Sequence, residues 1–335
     1  GLDDLADVAR TEHRPFLSSS TGPGAWEMVI TNTLSRGDRV LVAATGHFAV
    51  AWGEVAERLG IVVDYVESPL DQAFDPTELQ ARLEADRTYR AVLCVQVDTG
   101  TSVMNDIAAF RRALDAADHP AMLMVDCIAS LGCAPFEMDA WGVDVTVAST
   151  QKGLMVPPGL GIVWAGLRAL EAHRTAGLRT AYWDWTPRLD PEAPFYHLFA
   201  GTPPVSHLFG MRAALDLLLA EGVEAAWARH DVFARSVHAA VGAWGDGVDG
   251  LSLNVADPTH RAPSVTTILT GAGIDGAALR ERAERSAGLT LGIPVGAFDG
   301  RAFRIGHMGH LNPPMLLGTL TTVEAVLESL GAPVG

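Results

Sequence analysis

The sequence predicts an α/β fold with a mainly parallel sheet and a second, smaller domain. Six runs rich in Val, Ile and Leu have the length of strands, at residues 39–44, 61–66, 91–97, 121–126, 143–149 and 161–165. Amphipathic stretches at 50–59, 76–84 and 107–117 separate the first four runs and predict helices. Because helices between strands act as crossover connections, the strands are expected to run parallel, with both faces of the sheet covered.

The last two strands of this series break the alternation. In the run "DVTVASTQKGLMVPPGLGIVWAG" a short loop joins them, with no helix between. A connection of this kind predicts one antiparallel strand in the sheet.

The texture of the chain changes between about residues 175 and 204, where aromatic residues and prolines accumulate. This stretch predicts a crossover between domains, with a large domain at 1–204 and a smaller one at 205–335. The later part carries helical patterns at 205–221, 223–244, 275–287 and 313–330, with strands at 264–269 and 302–307. We therefore expect a compact α+β domain at the C-terminal end.

Composition excludes several classes of protein. The 335 residues are 48% hydrophobic and carry a formal net charge of −16, with no cluster of Lys and Arg, so no nucleic-acid partner is expected. No segment has the length and apolar character of a membrane span, and the N-terminus does not resemble a signal peptide. The cysteines, Cys94, Cys127 and Cys133, show no metal-ligand spacing and are expected to be reduced. A cytoplasmic protein without a membrane association is predicted.

A glycine-rich turn, "SSSTGPGAWE" at 18–27, begins a helical pattern that runs to about Leu34. Free N–H groups and the helix dipole make such a turn suitable for a phosphate, although an ordinary helix cap, Ser or Thr followed by Glu27, is the favoured explanation of the turn taken alone. The turn matches neither the dinucleotide-binding motif nor the Walker loop that binds nucleoside triphosphates.

Two charged residues follow apolar strands. Asp126 ends the run "AMLMVD", where ligands bind in open α/β sheets, and its alternative role is to cap the turn that follows. Lys152, a rare residue type in this sequence, comes just after the next strand in "VASTQKGLMVPPG". Because both residues follow strands of one sheet, their side chains are expected to meet at the same edge.

A phosphate-binding turn, a strand-end aspartate and a strand-end lysine are what pyridoxal 5′-phosphate requires. The lysine forms a Schiff base with the aldehyde, and the aspartate pairs with the protonated ring nitrogen. The helix N-terminus holds the phosphate. We therefore predict this cofactor.

At this point the chain resembles the class V aminotransferases of fold type I, most closely those acting with alanine or serine and with glyoxylate or pyruvate. The motifs that carry the resemblance are "SSTGPGAWE", "DTGTSVMNDI", "VDCIASLG", "STQKGLMVPPG", "GTPPV" and "FRIGHMG". They span nearly the whole chain. The resemblance implies a seven-stranded sheet in the large domain.

The resemblance also implies roles for residues around the cofactor ring. Lys152 would form the Schiff base and move the proton between the substrate Cα and the cofactor, and Asp126 would pair with the ring nitrogen. Phe48 would stack on the ring face, although relatives often have Trp there. Thr99 would place its hydroxyl beside the ring edge.

The remaining implied roles concern the phosphate and the substrate. Thr21, Gly22 and Gln151 would contact the phosphate, and Thr202 would reach the phosphate of a neighbouring subunit, which implies a homodimer with shared sites. Arg304 would bind the substrate carboxylate. No metal is implied, and His307 and His310 in "GHMGH" are expected to be core or pocket-lining residues.

The sequence departs from the family pattern at three places. One is Phe199, where some relatives have a tyrosine that contacts the phosphate from the partner subunit. Pro23 stands where a backbone N–H often helps to hold the phosphate, so Gly24 or a side chain must replace that donor. Relatives carry roughly forty to fifty residues before the position of Gly1, and the resemblance implies that this segment is absent here.

Our hypothesis is amino transfer from a small amino acid, such as alanine or serine, to glyoxylate or pyruvate. The alternatives are a pyridoxal-phosphate lyase or a transaminase for an unusual amine donor, and, from another class, a non-catalytic binding module. A cysteine desulfurase is disfavoured because no cysteine follows Cys133. The sequence does not specify the donor or the preferred acceptor.

Overall fold

The protein was analysed as a computed structural model that describes residues 1–190, 192–247, 251–271 and 273–332. Within these ranges the strands are β1 (Phe16–Ser19), β2 (Arg39–Ala44), β3 (Val62–Glu67), β4 (Tyr89–Val95), β5 (Val97–Asp98), β6 (Val103–Met104), β7 (Met122–Asp126), β8 (Val145–Ser149), β9 (Leu160–Ala165), β10 (Ser252–Leu253), β11 (Val265–Leu269) and β12 (Ala302–Gly306). The helices are α1 (Leu2–Ala9), α2 (Gly22–Thr33), α3 (His47–Arg58), α4 (Pro76–Ala85), α5 (Ile107–Ala116), α6 (Leu167–Thr175), α7 (Thr186–Leu189), α8 (Val205–Glu221), α9 (Val223–Gly247), α10 (Gly276–Ala287) and α11 (Pro313–Ser329).

Seven strands form one sheet in the order β1-β9-β8-β7-β4-β2-β3. β9 pairs antiparallel with both β1 and β8, and the other pairs are parallel, so β9 alone among these seven runs in the opposite direction. The mainly parallel sheet, its seven strands and its one antiparallel strand were all predicted, and each prediction is confirmed.

The two faces of this sheet pack into separate apolar cores because side chains alternate along each strand. Along β2, Leu41 and Ala43 belong to one core, whereas Val40 and Val42 belong to the other. Helices cover both faces, as crossover connections require. Two of these helices, α4 and α5, begin at a capping aspartate; Asp75, for example, accepts a hydrogen bond from the backbone N–H of Thr77 at 2.8 Å.

The C-terminal part contains helices α8 to α11 and the antiparallel sheet β10-β11-β12. A third apolar core, with Phe303 and Ile305 of β12 and Val323 of α11 at its centre, holds these elements together. The elements match the predicted α+β pattern. The division into domains at 204 and 205 stays a prediction.

The structure differs from the sequence prediction in several elements; helices α1, α6 and α7 and strand β10 were not predicted. Strand β1 was not predicted, because only the apolar pair Phe16-Leu17 marks it in the sequence. The strand forms by pairing with β9, a segment distant in the sequence, with Phe16 opposite Val163. The run predicted as a single strand at 91–97 is interrupted at Gln96, whose side-chain amide donates to the carbonyl of Pro135 at 2.8 Å.

In the described ranges, every helix is too short or too polar to pass through a lipid bilayer.

Candidate active site

A cavity of about 190 Å³ lies where the parallel strands of the large sheet end. β1, β2, β4, β7 and β8 all point their carboxyl ends toward it, and ligands bind at this edge in open α/β sheets. The lining residues are Gly22, Pro23, Trp26, Phe48, Val95, Val97, Thr99, Asp126, Ile128, Ala129, Gln151 and Lys152. Six residues that the sequence proposed for the site therefore line one cavity.

Asp126 is the last residue of β7, and its side chain is only 3% exposed. One carboxylate oxygen, Oδ1, accepts the backbone N–H of Ile128 at 2.7 Å, and the other, Oδ2, accepts the indole N–H of Trp26 at 2.6 Å. Burial nevertheless raises the pKa of Asp126 to about 7, because the charged form loses its hydration. A carboxyl group in this condition is suited to a cationic N–H partner in the cavity.

Lys152 reaches the same cavity from the loop between β8 and β9, as its position after a strand predicted. The loop is held from within, because the Thr150 hydroxyl donates to the carbonyl of Pro157 at 3.0 Å and the backbone N–H of Val156 donates to the carbonyl of Thr150 at 3.0 Å. Burial lowers the pKa of the Lys152 amine, and the positive charge of Arg304 lowers it further. Both effects favour the neutral amine that a nucleophile or proton acceptor needs.

Gly153 shows how closely the lysine loop packs. A Cβ atom at this position would lie 2.2 Å from the carbonyl oxygen of Leu131 and 2.7 Å from the Sγ of Cys133. Replacement of Gly153 by alanine is therefore expected to destabilise the protein by about 1–3 kcal/mol, because the loop must move away from backbone atoms. Chemical denaturation measures the loss.

The control for this change is Gly242→Ala on α9, where an added Cβ would have no atom of the described part of the chain within 4 Å. This substitution is expected to be neutral or to stabilise by about 0.4–1 kcal/mol. Equal effects of the two substitutions would contradict the close packing of the lysine loop.

Phe48 and Thr99 lie on two segments that a buried carboxylate joins. Asp98, which is fully buried, accepts the backbone N–H of Phe48 and that of Gly100, both at 2.8 Å. Its carboxylate fills the space that a side chain at Gly46 would need, since a Cβ there would lie 2.6 Å from each of its oxygens. Asp98 thus ties the start of α3 to the loop that carries Thr99.

The start of α2 forms the third side of the site. Thr21 precedes the first helical residue, Gly22, and its carbonyl accepts the backbone N–H of Ala25 at 3.2 Å. Gly22 and Gln151 line the cavity, whereas Thr21 is exposed beside it. Pro23 falls in the first turn, where a missing N–H costs no helical hydrogen bond.

Arg304, in β12, reaches toward this site from the smaller sheet. Its Nε donates to the carbonyl of Ile293 and its Nη1 to the carbonyl of Thr99, each at 2.6 Å. A guanidinium has five N–H groups, so three remain for another acceptor. The contact with Thr99 puts Arg304 beside a residue that lines the cavity.

Thr202 does not line the cavity; within the described residues it lies exposed, just before α8. The structure of one chain therefore does not bring it to the site. Its predicted contact with a second subunit stays a prediction.

Two residues of the site were missed in the sequence. Trp26 lies one helical turn after Gly22 and so points along the same side of α2, a spacing that could have drawn attention to it. Asp98 directly precedes Thr99 and ends a strand, which is the signal that identified Asp126. Asp98 and Asp126 are thus both carboxylates at the last residue of a strand.

The histidine pair behaves only in part as predicted. His307 is buried between the Thr266 hydroxyl at 2.9 Å and the carbonyl of Pro263 at 2.8 Å, and burial lowers its pKa to about 3. His310 is exposed, so its assignment to the core or pocket is wrong. In the ranges that the structure covers, no three His, Cys, Asp or Glu side chains are grouped to hold a metal ion.

Comparison with known proteins identifies the family. The family model for aminotransferase class V matches residues 7–288. The chain is 40% identical over 336 residues to the L-aspartate–glyoxylate aminotransferase of Paracoccus denitrificans, covering 99% of this chain and 83% of that protein. It is 39% identical over 339 residues to the serine–glyoxylate aminotransferase of Arabidopsis thaliana, with coverage of 99% and 82%.

Comparison with a solved structure supports the same family. The crystal structure of pyridoxamine–pyruvate aminotransferase from Mesorhizobium loti superposes with a TM-score of 0.89 at 28% identity, covering 100% of this chain and 84% of that chain. The chain therefore belongs to the class V aminotransferases, and the predicted fold type I is confirmed. It is an aminotransferase, as the sequence predicted.

Proposed function

We propose that this aminotransferase uses pyridoxal phosphate to move an amino group from a small amino acid, such as alanine or serine, to glyoxylate or pyruvate. The observation that carries the proposal is the single cavity lined by Asp126, Lys152 and Gly22. The named relatives act with glyoxylate or pyruvate, which supports a small oxo-acid as the acceptor.

The residues fit the cofactor by their chemistry. Asp126 is a buried carboxylate that can accept from a protonated ring nitrogen, and Lys152 is a partly buried amine with a lowered pKa. The helix start at Gly22, with Thr21 and Gln151 beside it, offers N–H and polar side-chain groups to a phosphate. Phe48 supplies an aromatic face and Thr99 a hydroxyl at the cavity wall.

When bound, the cofactor supplies an aldehyde that accepts the amino group and a ring that withdraws electrons. Lys152 would hold the cofactor, and its amine would be placed to take the proton from the substrate Cα. Asp126, when ionised, would pair with the ring nitrogen and keep it protonated. Phe48 would pack against the face of the ring.

Arg304 is proposed to bind the substrate carboxylate through the N–H groups that Ile293 and Thr99 leave free. Replacement of Arg304 by lysine should raise the KM for the oxo-acid by about 10-fold to 100-fold, because the bidentate contact is lost, and should change kcat less. Steady-state kinetics with varied glyoxylate measures both. An unchanged KM would show that the carboxylate binds elsewhere.

We further propose a homodimer in which Thr202 serves the neighbouring site. Thr202 is exposed, and near it on α8 Phe209 is 74% exposed, as is common for an aromatic residue at an interface. Light scattering of the purified protein gives its mass in solution. A mass equal to that of one chain would refute the shared site.

The test of the function is an end-point assay with alanine, serine or aspartate as donor and glyoxylate or pyruvate as acceptor. Formation of glycine or alanine that depends on both substrates supports the proposal. Release of ammonia from the donor without any acceptor would instead favour a lyase, and no product with any pair would refute the substrate class.

A further inference from the structure

The indole of Trp26 makes a contact that amino transfer by Lys152 and Asp126 does not by itself require. Trp26 lies four residues after Gly22 on α2, and its side chain is almost fully buried. Its Nε1 lies 2.6 Å from Oδ2 of Asp126, at the end of β7. The hydrogen bond joins residues that are 100 positions apart in the sequence.

This bond fixes the carboxylate together with one other donor. The backbone N–H of Ile128 binds Oδ1 at 2.7 Å, so each carboxylate oxygen receives one directional hydrogen bond. Two hydrogen bonds on different oxygens prevent rotation of the carboxylate about the Cβ–Cγ bond of Asp126. Each oxygen keeps a second lone pair, and Asp126 lines the cavity, so it can accept one more donor from there.

The same bond favours the ionised form of Asp126. An indole N–H can only donate, so it stabilises a carboxylate more than a carboxylic acid. It thereby opposes burial, which raises the pKa of Asp126, and the nearby negative charge of Asp98, which raises it further. Lys152 acts in the same direction as Trp26, and the adjacent buried thiols of Cys94 and Cys127, whose pKa values are raised, stay neutral.

We propose that Trp26 is a positioning residue that orients the Asp126 carboxylate and holds it ionised for the protonated ring nitrogen of pyridoxal phosphate. The proposal rests on the proposed function, since it assigns Trp26 a part in cofactor binding. Helix α2 would then serve both ends of the cofactor, because Gly22 and Trp26 are separated by about 6 Å along its axis. One rigid element would set the phosphate and the ring nitrogen partner together.

The neighbouring Trp52 on α3 provides a matched control. Its ring stacks on that of Trp26, with centroids 6.1 Å apart and planes inclined by 16°. Trp52 is also fully buried, but its Nε1 has no hydrogen-bond partner among the residues that the structure describes. Replacing either tryptophan by phenylalanine removes one indole N–H from the same apolar region, and only Trp26→Phe removes a bond to Asp126.

The experiment compares two cofactors by equilibrium dialysis with the cofactor-free protein. One is pyridoxal phosphate, and the other is deazapyridoxal phosphate, in which a C–H group replaces the ring nitrogen. The covalent link to Lys152 and the phosphate contacts are common to both, so the ratio of the two dissociation constants isolates the contact with the ring nitrogen. Circular dichroism verifies that each variant is folded.

Trp26→Phe is expected to reduce the preference for pyridoxal phosphate over the deaza analogue by about 10-fold, as loss of a hydrogen bond to a charged group does. Trp52→Phe should leave the preference unchanged. Site-specific benzothienylalanine at position 26, which keeps the shape of tryptophan and replaces N–H by sulfur, should repeat the effect if Trp26→Phe does not fold.

Three outcomes would overturn the inference. An equal loss of affinity for both cofactors in Trp26→Phe would mean that the indole only supports packing, and no loss for either would mean that it does not act on Asp126. In both cases the proposed function survives, because the wild-type protein still binds pyridoxal phosphate. If the wild-type protein binds neither cofactor, the proposed function falls as well.

Discussion

Replacement of Lys152 by alanine is expected to reduce amino transfer by at least about 10³-fold, because the same amine is proposed both to link the cofactor and to move the Cα proton. The loss should appear in kcat at saturating concentrations of both substrates. Non-covalent binding of the cofactor through Asp126 and the start of α2 should persist, and equilibrium dialysis detects it.

The proposed covalent bond between Lys152 and the cofactor can be measured without interference from other lysines, since Lys152 is the single lysine of the sequence. Borohydride reduction followed by mass spectrometry should place the reduced cofactor on the peptide that contains Lys152. Lys152→Arg keeps the positive charge without a reactive amine, so it should be as inactive as Lys152→Ala. Substantial activity in either variant would refute the role of Lys152.

Replacement of Asp126 by asparagine is expected to reduce kcat by about 10²-fold to 10³-fold, because the ring nitrogen of the proposed cofactor would lose the negative charge that keeps it protonated. Asparagine has nearly the same shape and can still accept one of the two hydrogen bonds that Trp26 and Ile128 donate. The substitution should therefore lower kcat strongly and the melting temperature only slightly. Steady-state kinetics, with thermal melting of the same samples, separates the two.

Asp144 is the matched control for this change. It is also a buried carboxylate with a raised pKa, and it accepts the backbone N–H of Leu123 at 2.8 Å. Because it directly precedes β8, it lies at the opposite edge of the sheet from Asp126. Asp144→Asn should lower the melting temperature, since the ion pair with Arg168 is lost, and leave kcat nearly unchanged. Equal effects of the two substitutions on kcat would contradict the role of Asp126.

The fold could be predicted to the extent that local patterns define it. The strands of the parallel sheet are long and apolar, and helices between them determine their direction, so the order of elements followed from the sequence. Strand β1 has four residues and exists through its pairing with β9, more than 140 positions away, which no local pattern reveals. The split after β4 depends in the same way on Gln96 and the distant Pro135.

The residues of the candidate site also divide into those that local sequence patterns predicted and those that only long-range contacts explain. Asp126 and Lys152 were found because each follows an apolar strand, a signal contained in a few neighbouring residues. Trp26 and Asp98 act through contacts with residues 100 and 50 positions away, so their sequence signals, a helical spacing and a strand end, do not reveal which groups they contact. Arg304 came from resemblance to a family, and its hydrogen bonds to Ile293 and Thr99 came from the structure.

The attachment of Arg304 to β12 has an evolutionary consequence. Most residues proposed for the cofactor line the cavity at the carboxyl ends of the strands of the large sheet, whereas Arg304, proposed for the substrate carboxylate, lies on β12 of the small sheet. If Arg304 binds the substrate carboxylate as proposed, mutations around β12 and the segment that carries Ile293 would alter the choice of substrate and leave the proposed cofactor site intact. A scaffold divided in this way would let new transaminases diverge by changing their selectivity first.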